Sequence, residues 1–173
     1  MQTLLDKQAI ATSLNAITDH IVAAAGREPI ALIGVRTRGE VLARRIEQLI
    51  TEAGSVSVER GTLDITLYRD DLDRKGPAGP MVRATEIDFE INERQVVLVD
   101  DVIWTGRTAR AALDALMDLG RPQVIRLAVL IDRGGRELPI QPDFVGQVVE
   151  PPSEAKVKVF VQEIDDEDAV KLV

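Results

Sequence analysis

The chain has 173 residues, 45% of them hydrophobic, and a net charge of −8, which suits one compact core and argues against a general affinity for nucleic acid. It has no cysteine and one histidine, His20, which excludes disulfides and thiolate chemistry and makes a histidine-built zinc site improbable. No run approaches the ~20 apolar residues of a membrane span, and the start MQTLLDKQAI lacks a basic segment followed by an apolar one, so a cytoplasmic protein with no membrane partner is expected.

Helices and strands alternate along the sequence. Ile10, Leu14, Ile17, Ile21 and Val22 recur at helical spacing, and Gly26 closes this first helix, with His20 a structural residue on it. Ile30 to Val35 reads as a short buried strand. Val41, Leu42, Ile46, Leu49 and Ile50 mark a second helix ending near Gly54; Arg44 and Arg45 fall on its solvated face or on an oligomer contact. Val56 to Tyr68 alternates as strands do, with Leu63, Ile65 and Leu67 in phase. Asp70 to Pro80, rich in glycine and proline, reads as a mobile loop, and Glu86 to Ile91 as a short extended piece.

Val96 to Val99 suits a central strand buried on both faces, and a helical pattern follows through Ala109, Ala112, Leu113, Leu116 and Leu119. Val124 to Ile131 is another apolar strand. Beyond Pro139 short strands and turns are expected, the clearest at Val157 to Val161, and Asp165 to Asp168 read as a solvated tail. This order predicts an α/β fold, a mainly parallel twisted sheet with helices on both faces. Residues 1–173 form a single domain, with 139–163 contributing a small hood.

In an open parallel sheet, ligands lie beyond the carboxyl ends of the strands. Three strand ends carry the notable residues: Arg36, Thr37, Arg38 and Gly39 after the first, Asp100 and Asp101 after the second, and Asp132, Arg133 and Gly134 after the third. Thr105, Gly106 and Thr108 open the helix after the acidic pair, where free N–H groups and the helix dipole favour a phosphate. Carboxylates just before such a cradle can hold sugar hydroxyls, so the pattern points to a ribose-phosphate site. An acidic pocket of the response-regulator kind also puts VLVDD at a strand end, but it leaves TGRT and RTRG unexplained.

VVLVDDVIWTGRT resembles the phosphoribosyl-pyrophosphate motif of the purine and pyrimidine phosphoribosyltransferase family. GVRTRGEVLARRI, LDITLYRDDL, the longer run ending DLGRP, and LAVLIDRGGRELPI extend the likeness from about Asp6 to Val161, toward that family's pyrimidine-operon regulators. The resemblance implies a type I phosphoribosyltransferase-like fold. It implies a uracil phosphoribosyltransferase that joins uracil to phosphoribosyl pyrophosphate (PRPP), releases pyrophosphate and forms uridine monophosphate (UMP). Mg²⁺ would travel with PRPP rather than sit on protein ligands.

By the same resemblance, Thr105, Gly106, Arg107 and Thr108 wrap the 5′-phosphate. Asp100 and Asp101 hold the ribose hydroxyls and steady the growing positive charge, while Thr37 and Arg38 grip pyrophosphate in a loop that often carries a strained peptide. Val102, Ile103 and Trp104 complete the substrate strand, Trp104 being foremost a packing residue. Arg133 and Val157 sit near the base, and the loop Asp70 to Arg83 closes over the site, with Arg69 or Arg83 reaching the pyrophosphate.

Regulatory members are expected to sense UMP and uridine triphosphate (UTP), to bind a pyr leader mRNA on a basic concave surface, and to form homodimers or larger homo-oligomers. Here Asn15, Ala16 and Asp19 stand where those members tend to carry Thr, Arg and His, and Gly135, Gln141 and Gln147 replace His, Arg and Lys; Arg136 is retained. Each lost cation removes a possible phosphate contact, so weak RNA binding is expected. Alternatively, the chain has lost leader-RNA control and acts mainly as an enzyme or nucleotide sensor.

Overall fold

The structure is a computed structural model that describes residues 1–71 and 84–173. The elements follow in the order β1 (Gln2–Leu5), α1 (Lys7–Ala25), β2 (Ile30–Val35), α2 (Arg38–Ala53), β3 (Val58–Leu63), a 3₁₀ turn (Thr66–Tyr68), β4 (Gln95–Ile103), α3 (Arg107–Leu119), β5 (Val124–Asp132), β6 (Phe144–Val148), β7 (Val157–Phe160), α4 (Gln162–Asp165) and β8 (Ala169–Leu172). Five strands form a parallel sheet in the order β3-β2-β4-β5-β6, and β1-β8-β7 form a small antiparallel sheet. Because β3 flanks β2 on one side and β4 on the other, the chain reverses its direction of winding between β2 and β4. A crevice opens at such a point.

The two-residue period of the strands divides the core. Ile30 and Leu32 of β2, Val97 and Val99 of β4, and Ala128 and Leu130 of β5 meet α1 and α2 on one face. Ala31, Ile33, Val96, Leu98, Leu127 and Val129 meet α3 on the other, through Ala112, Ala115 and Leu116. Leu32, Ile33, Ile46 and Leu116 are wholly buried, each contributing about 1.5–3 kcal/mol relative to exposure. Asp6 caps α1 by accepting the Ala9 N–H at 2.8 Å, and Gly26 ends it as expected. His20 is exposed. No helix among the described residues is long and apolar enough to cross a membrane.

Several expectations need correction. The strand expected over Val56 to Tyr68 ends at Leu63, because the Asp64 carboxylate accepts the Thr66 N–H and turns the chain into 3₁₀ geometry. The extended piece expected over Glu86 to Ile91 pairs with β3 only through an isolated bridge, Thr62 to Glu86. Residues 144–148, assigned to the hood, are instead the fifth strand of the main sheet. The small sheet is made from both chain ends, pairing β1 and β8 with β7; these short strands lack a periodicity of their own. Most of the expected loop, and Arg83 with it, lies outside the described residues.

The acidic tail is also not free in solvent. Asp165 accepts from Arg38 at 2.8 Å and from the Val161 N–H at 2.9 Å, and Asp168 accepts from Arg45 at 2.7 Å and from the Gln162 N–H at 2.9 Å. Arg45 also grips Glu163 through two nitrogens, so it forms a brace between α2 and the C-terminal turn rather than a solvated face. Arg44 is exposed, as expected.

Candidate active site

A cleft of about 870 Å³ opens beyond the carboxyl ends of the parallel strands. Its floor is Leu127 and Val129 of β5; one wall runs from Asp100 through Val102, Ile103, Trp104, Thr105, Gly106, Arg107 and Thr108 into α3. Arg133, Lys156, Val157 and Lys158 form the facing wall, and Arg69, Asp70 and Asp71 lie at the rim.

The β4–α3 junction is shaped by local chemistry. Asp100 accepts the Asp101 N–H at 2.9 Å and Asp101 accepts the Val102 N–H at 2.8 Å, so each carboxylate is fixed by one oxygen. Gly106 caps α3 with φ +92°, a conformation glycine enters at little cost. No side-chain oxygen caps the helix in the N-cap manner; the Thr105 hydroxyl accepts the Arg107 N–H at 3.3 Å. The positive end of α3 therefore faces the cleft, ready for an anion.

Both carboxylates have pKa values above the ordinary aspartate range. Burial raises Asp100 most, and the neighbouring Asp101 charge adds to it. Burial also raises Asp101, while the Val102 N–H and the nearby Arg38 charge act against the rise. Two carboxylates crowded at one strand end favour an incoming cation or developing positive charge.

Thr37, Arg38 and Asp101 do not line this cleft; they sit beside it, at the β2–β4 crevice. The Arg36–Thr37 peptide is cis. Gly39 passes so close to β4 that a Cβ there would run into the Val99 carbonyl, which holds the loop against the acidic pair. Arg36 turns away and donates to Glu40 and the Ala84 carbonyl.

Arg133 is 9% exposed and donates to the Ala155 carbonyl at 2.9 Å. Its guanidinium lies 4.3 Å from the centroid of the Trp104 ring, which is itself 49% exposed and open to the cleft. Trp104 thus packs against Arg133 while about half of it stays exposed at the cleft wall. Arg107 donates to Asp70 at 2.6 Å and to Glu137 at 3.0 Å, and Arg69 pairs with Asp71.

Arg136, proposed as an RNA contact, is committed inside the fold. It donates to Asp132 at 2.6 Å, to the Ile140 and Trp104 carbonyls, and to Gln141. The Arg136 bond and the Gly134 N–H outweigh the effect of burial and hold Asp132 below the usual carboxylate range. That cation braces the β5–β6 connection.

Asp70 and Asp71 begin the loop expected over the site, whereas Lys156, Lys158 and Glu137 have no role in the sequence reading. Alternation in KVKVF hinted at a strand with lysines on one face, but nothing local said that this face turns to the cleft. No group of three or more His, Asp or Glu side chains poised for a metal occurs among the described residues.

A parallel sheet with this crevice, and an acidic strand end feeding a helix start, define the phosphoribosyltransferase class of fold. The structure superposes on a hypoxanthine-guanine phosphoribosyltransferase from Bacillus anthracis with TM-score 0.75 and 17% identity, covering 100% of this chain and 98% of that one. It matches a hypoxanthine phosphoribosyltransferase from Trypanosoma cruzi with TM-score 0.76 and 20% identity, over 99% and 95% of the two chains. These similarities show the fold.

The family described as phosphoribosyl transferase domain matches residues 1–167. Curated relatives called bifunctional protein PyrR are 53% identical in Alkaliphilus metalliredigens, over 98% of this chain and 93% of the relative, and 50% identical in Deinococcus radiodurans over the same shares. The chain belongs to the phosphoribosyltransferase family and, within it, to the PyrR proteins.

Proposed function

We propose that this protein is a uracil phosphoribosyltransferase that forms UMP and pyrophosphate from uracil and PRPP, and that it senses uridine nucleotides in the control of pyrimidine genes. One observation carries the enzymatic reading: Asp100 and the α3 start that Gly106 opens line the same wall of a cleft large enough for a nucleotide. A helix start open to an anion and a carboxylate thus lie on one continuous segment of the chain.

Phosphoribosyl transfer passes through a sugar with oxocarbenium character as pyrophosphate departs, so positioning and charge stabilisation matter more than a protein nucleophile. The α3 N-terminus, with Thr105 and Thr108, holds the 5′-phosphate. Asp100 and Asp101 orient the ribose hydroxyls and offset the positive charge growing on the ring. Thr37 and Arg38 hold the departing pyrophosphate across the crevice. Arg133 and Trp104, with Val157, bound the side where uracil stacks. Oxygen donors and the absence of sulfur ligands suit Mg²⁺ arriving on PRPP, where it neutralises phosphate charge. Arg107, held by Asp70 and Glu137, links the phosphate turn to the start of the loop, and Arg69 stands at the same rim.

The test is direct: purified protein with uracil, PRPP and Mg²⁺ is expected to yield UMP. Folded protein that makes none at any substrate level removes the enzymatic reading.

A second reading concerns regulation. The enzyme and nucleotide-sensing roles survive while leader-RNA binding is weak, because Asn15, Ala16, Asp19, Gly135, Gln141 and Gln147 supply no cation and Arg136 is engaged internally. In a filter-binding titration, a pyr leader hairpin is expected to be retained poorly with or without UMP or UTP. Tight, nucleotide-dependent retention would overturn this.

A further inference from the structure

The C-terminal turn reaches the pyrophosphate side of the crevice through a contact between residues 127 positions apart. Asp165 Oδ1 accepts from Arg38 Nη2 at 2.8 Å, with the two side chains 16% and 33% exposed. The other oxygen, Oδ2, accepts the Val161 N–H at 2.9 Å, so the backbone holds the carboxylate itself in place. Of the remaining donors of Arg38, neither the buried Nε nor Nη1 meets an acceptor among the described residues. The guanidinium is thus tethered at one nitrogen by a fixed anchor, with donors uncommitted.

A second contact secures the anchor. Arg45, two turns along α2 from Arg38, holds Glu163 and Asp168 on either side of Asp165. The same turn continues directly from β7, whose Val157 and Lys158 form a wall of the cleft.

We propose that Asp165 is a positioning residue for PRPP: it holds Arg38 in the orientation that receives the pyrophosphate group and does not itself touch substrate. A carboxylate tied to a backbone N–H is a poor competitor that would have to leave, and a good strut that stays. An arginine side chain loses considerable rotamer freedom when it grips a ligand, and the tether removes part of that loss beforehand. This inference rests on the phosphoribosyl-transfer reading above.

The test compares wild type, Asp165→Asn, Asp165→Glu and Glu163→Gln as full-length proteins, with circular dichroism to establish folding. Steady-state kinetics gives KM for PRPP and for uracil, and calorimetry gives the affinity for PRPP with Mg²⁺. Asn at 165 can still accept the Val161 N–H but lacks the charge that holds Arg38. It is expected to raise the PRPP KM and weaken PRPP binding about tenfold, as for loss of one charged hydrogen bond, with uracil KM and kcat largely unchanged. Asp165→Glu is expected to recover part of that affinity. Glu163→Gln weakens one of the two acidic contacts of Arg45 while Asp168 and the Val161 N–H still secure Asp165, and is expected to lower the melting temperature with wild-type PRPP KM.

The same PRPP affinity in Asp165→Asn and wild type overturns the proposal. So does a variant in which kcat and both KM values deteriorate together, since that is the mark of a merely structural role. Wild type that neither binds PRPP nor forms UMP removes the phosphoribosyl reading itself, and the proposal with it.

Discussion

The β4–α3 junction and the C-terminal turn both place charged groups at the crevice, yet they do so by opposite means. At the junction the groups are neighbours in sequence. Asp100, Asp101, Thr105, Gly106 and Thr108 lie within nine residues, and local hydrogen bonds such as Asp101 N–H to Asp100 Oδ1 set their directions. At the turn, Asp165 and Glu163 meet Arg38 and Arg45 from more than a hundred positions away. The junction keeps its carboxylates short of partners and holds their pKa values up, whereas the turn saturates its carboxylates with arginine and holds Glu163 and Asp168 down. The carboxylates proposed to meet substrate are left electrostatically unsatisfied, and those that brace the fold are neutralised.

The contrast is broken most sharply at the acidic pair. Asp100→Asn combined with Asp101→Asn is expected to cost at least about a hundredfold in kcat/KM, on the scale of other preorganised charges lost from active sites. Stability should barely fall at neutral pH, because the substitutions remove crowded, poorly solvated charge. A melting temperature far below wild type, or unchanged activity, would contradict that division of roles.

Gly39→Ala should follow in size. Its Cβ would meet the Val99 carbonyl, so the Thr37–Arg38 loop must move off β4. Overpacking of this kind costs about 1–3 kcal/mol, and the PRPP KM should rise as well. Chemical denaturation and steady-state kinetics on the one variant check both.

Acid distinguishes the two regions more finely. Asp100 has a raised pKa in the folded state, so the folded protein takes up that proton before the unfolded chain does. Lowering the pH from neutral through the raised value toward the ordinary carboxylate range therefore adds stability from this group while removing the charge that the proposed reaction uses. The acid limb of kcat/KM should lie above the ordinary aspartate pKa, and in Asp100→Asn it should be lost or displaced.

Glu163 and Asp168 have the reverse sign. Arg45 is the main cause of the lowering at Glu163; at Asp168, burial acts upward and Arg45 with the Gln162 N–H overcomes it. Their contribution is fully present above the unfolded carboxylate pKa and is lost as pH falls through the depressed folded values. Arg45→Gln, the smallest of the expected effects, should cost about 1–2 kcal/mol at neutral pH, since these partly exposed pairs are screened by solvent. The difference from wild type should shrink steadily in acid. A gap between the two melting curves that is the same at every pH would show that the arginine acts through packing alone.

Much of this protein was settled by its sequence alone. Aliphatic runs at Ile30 to Val35 and Val96 to Val99, with helical spacing and Gly26 and Gly54 as stops, were sufficient for the α/β order, and DDVIWTGRT at a strand end marked the segment that lines the cleft. Periodicity, capping and motif spacing are short-range properties, and they survive whatever the rest of the chain does. Only the tertiary structure decided the rest. It moved residues 144–148 into the main sheet, built the small sheet from both chain ends, turned Arg136 into a strut for Asp132, and folded an acidic tail onto Arg38 and Arg45. Pairing of short edge strands and of distant charges depends on which segments the core brings together. A solvated carboxylate and a bracing one look identical in sequence, because what differs is the neighbour supplied by another part of the chain.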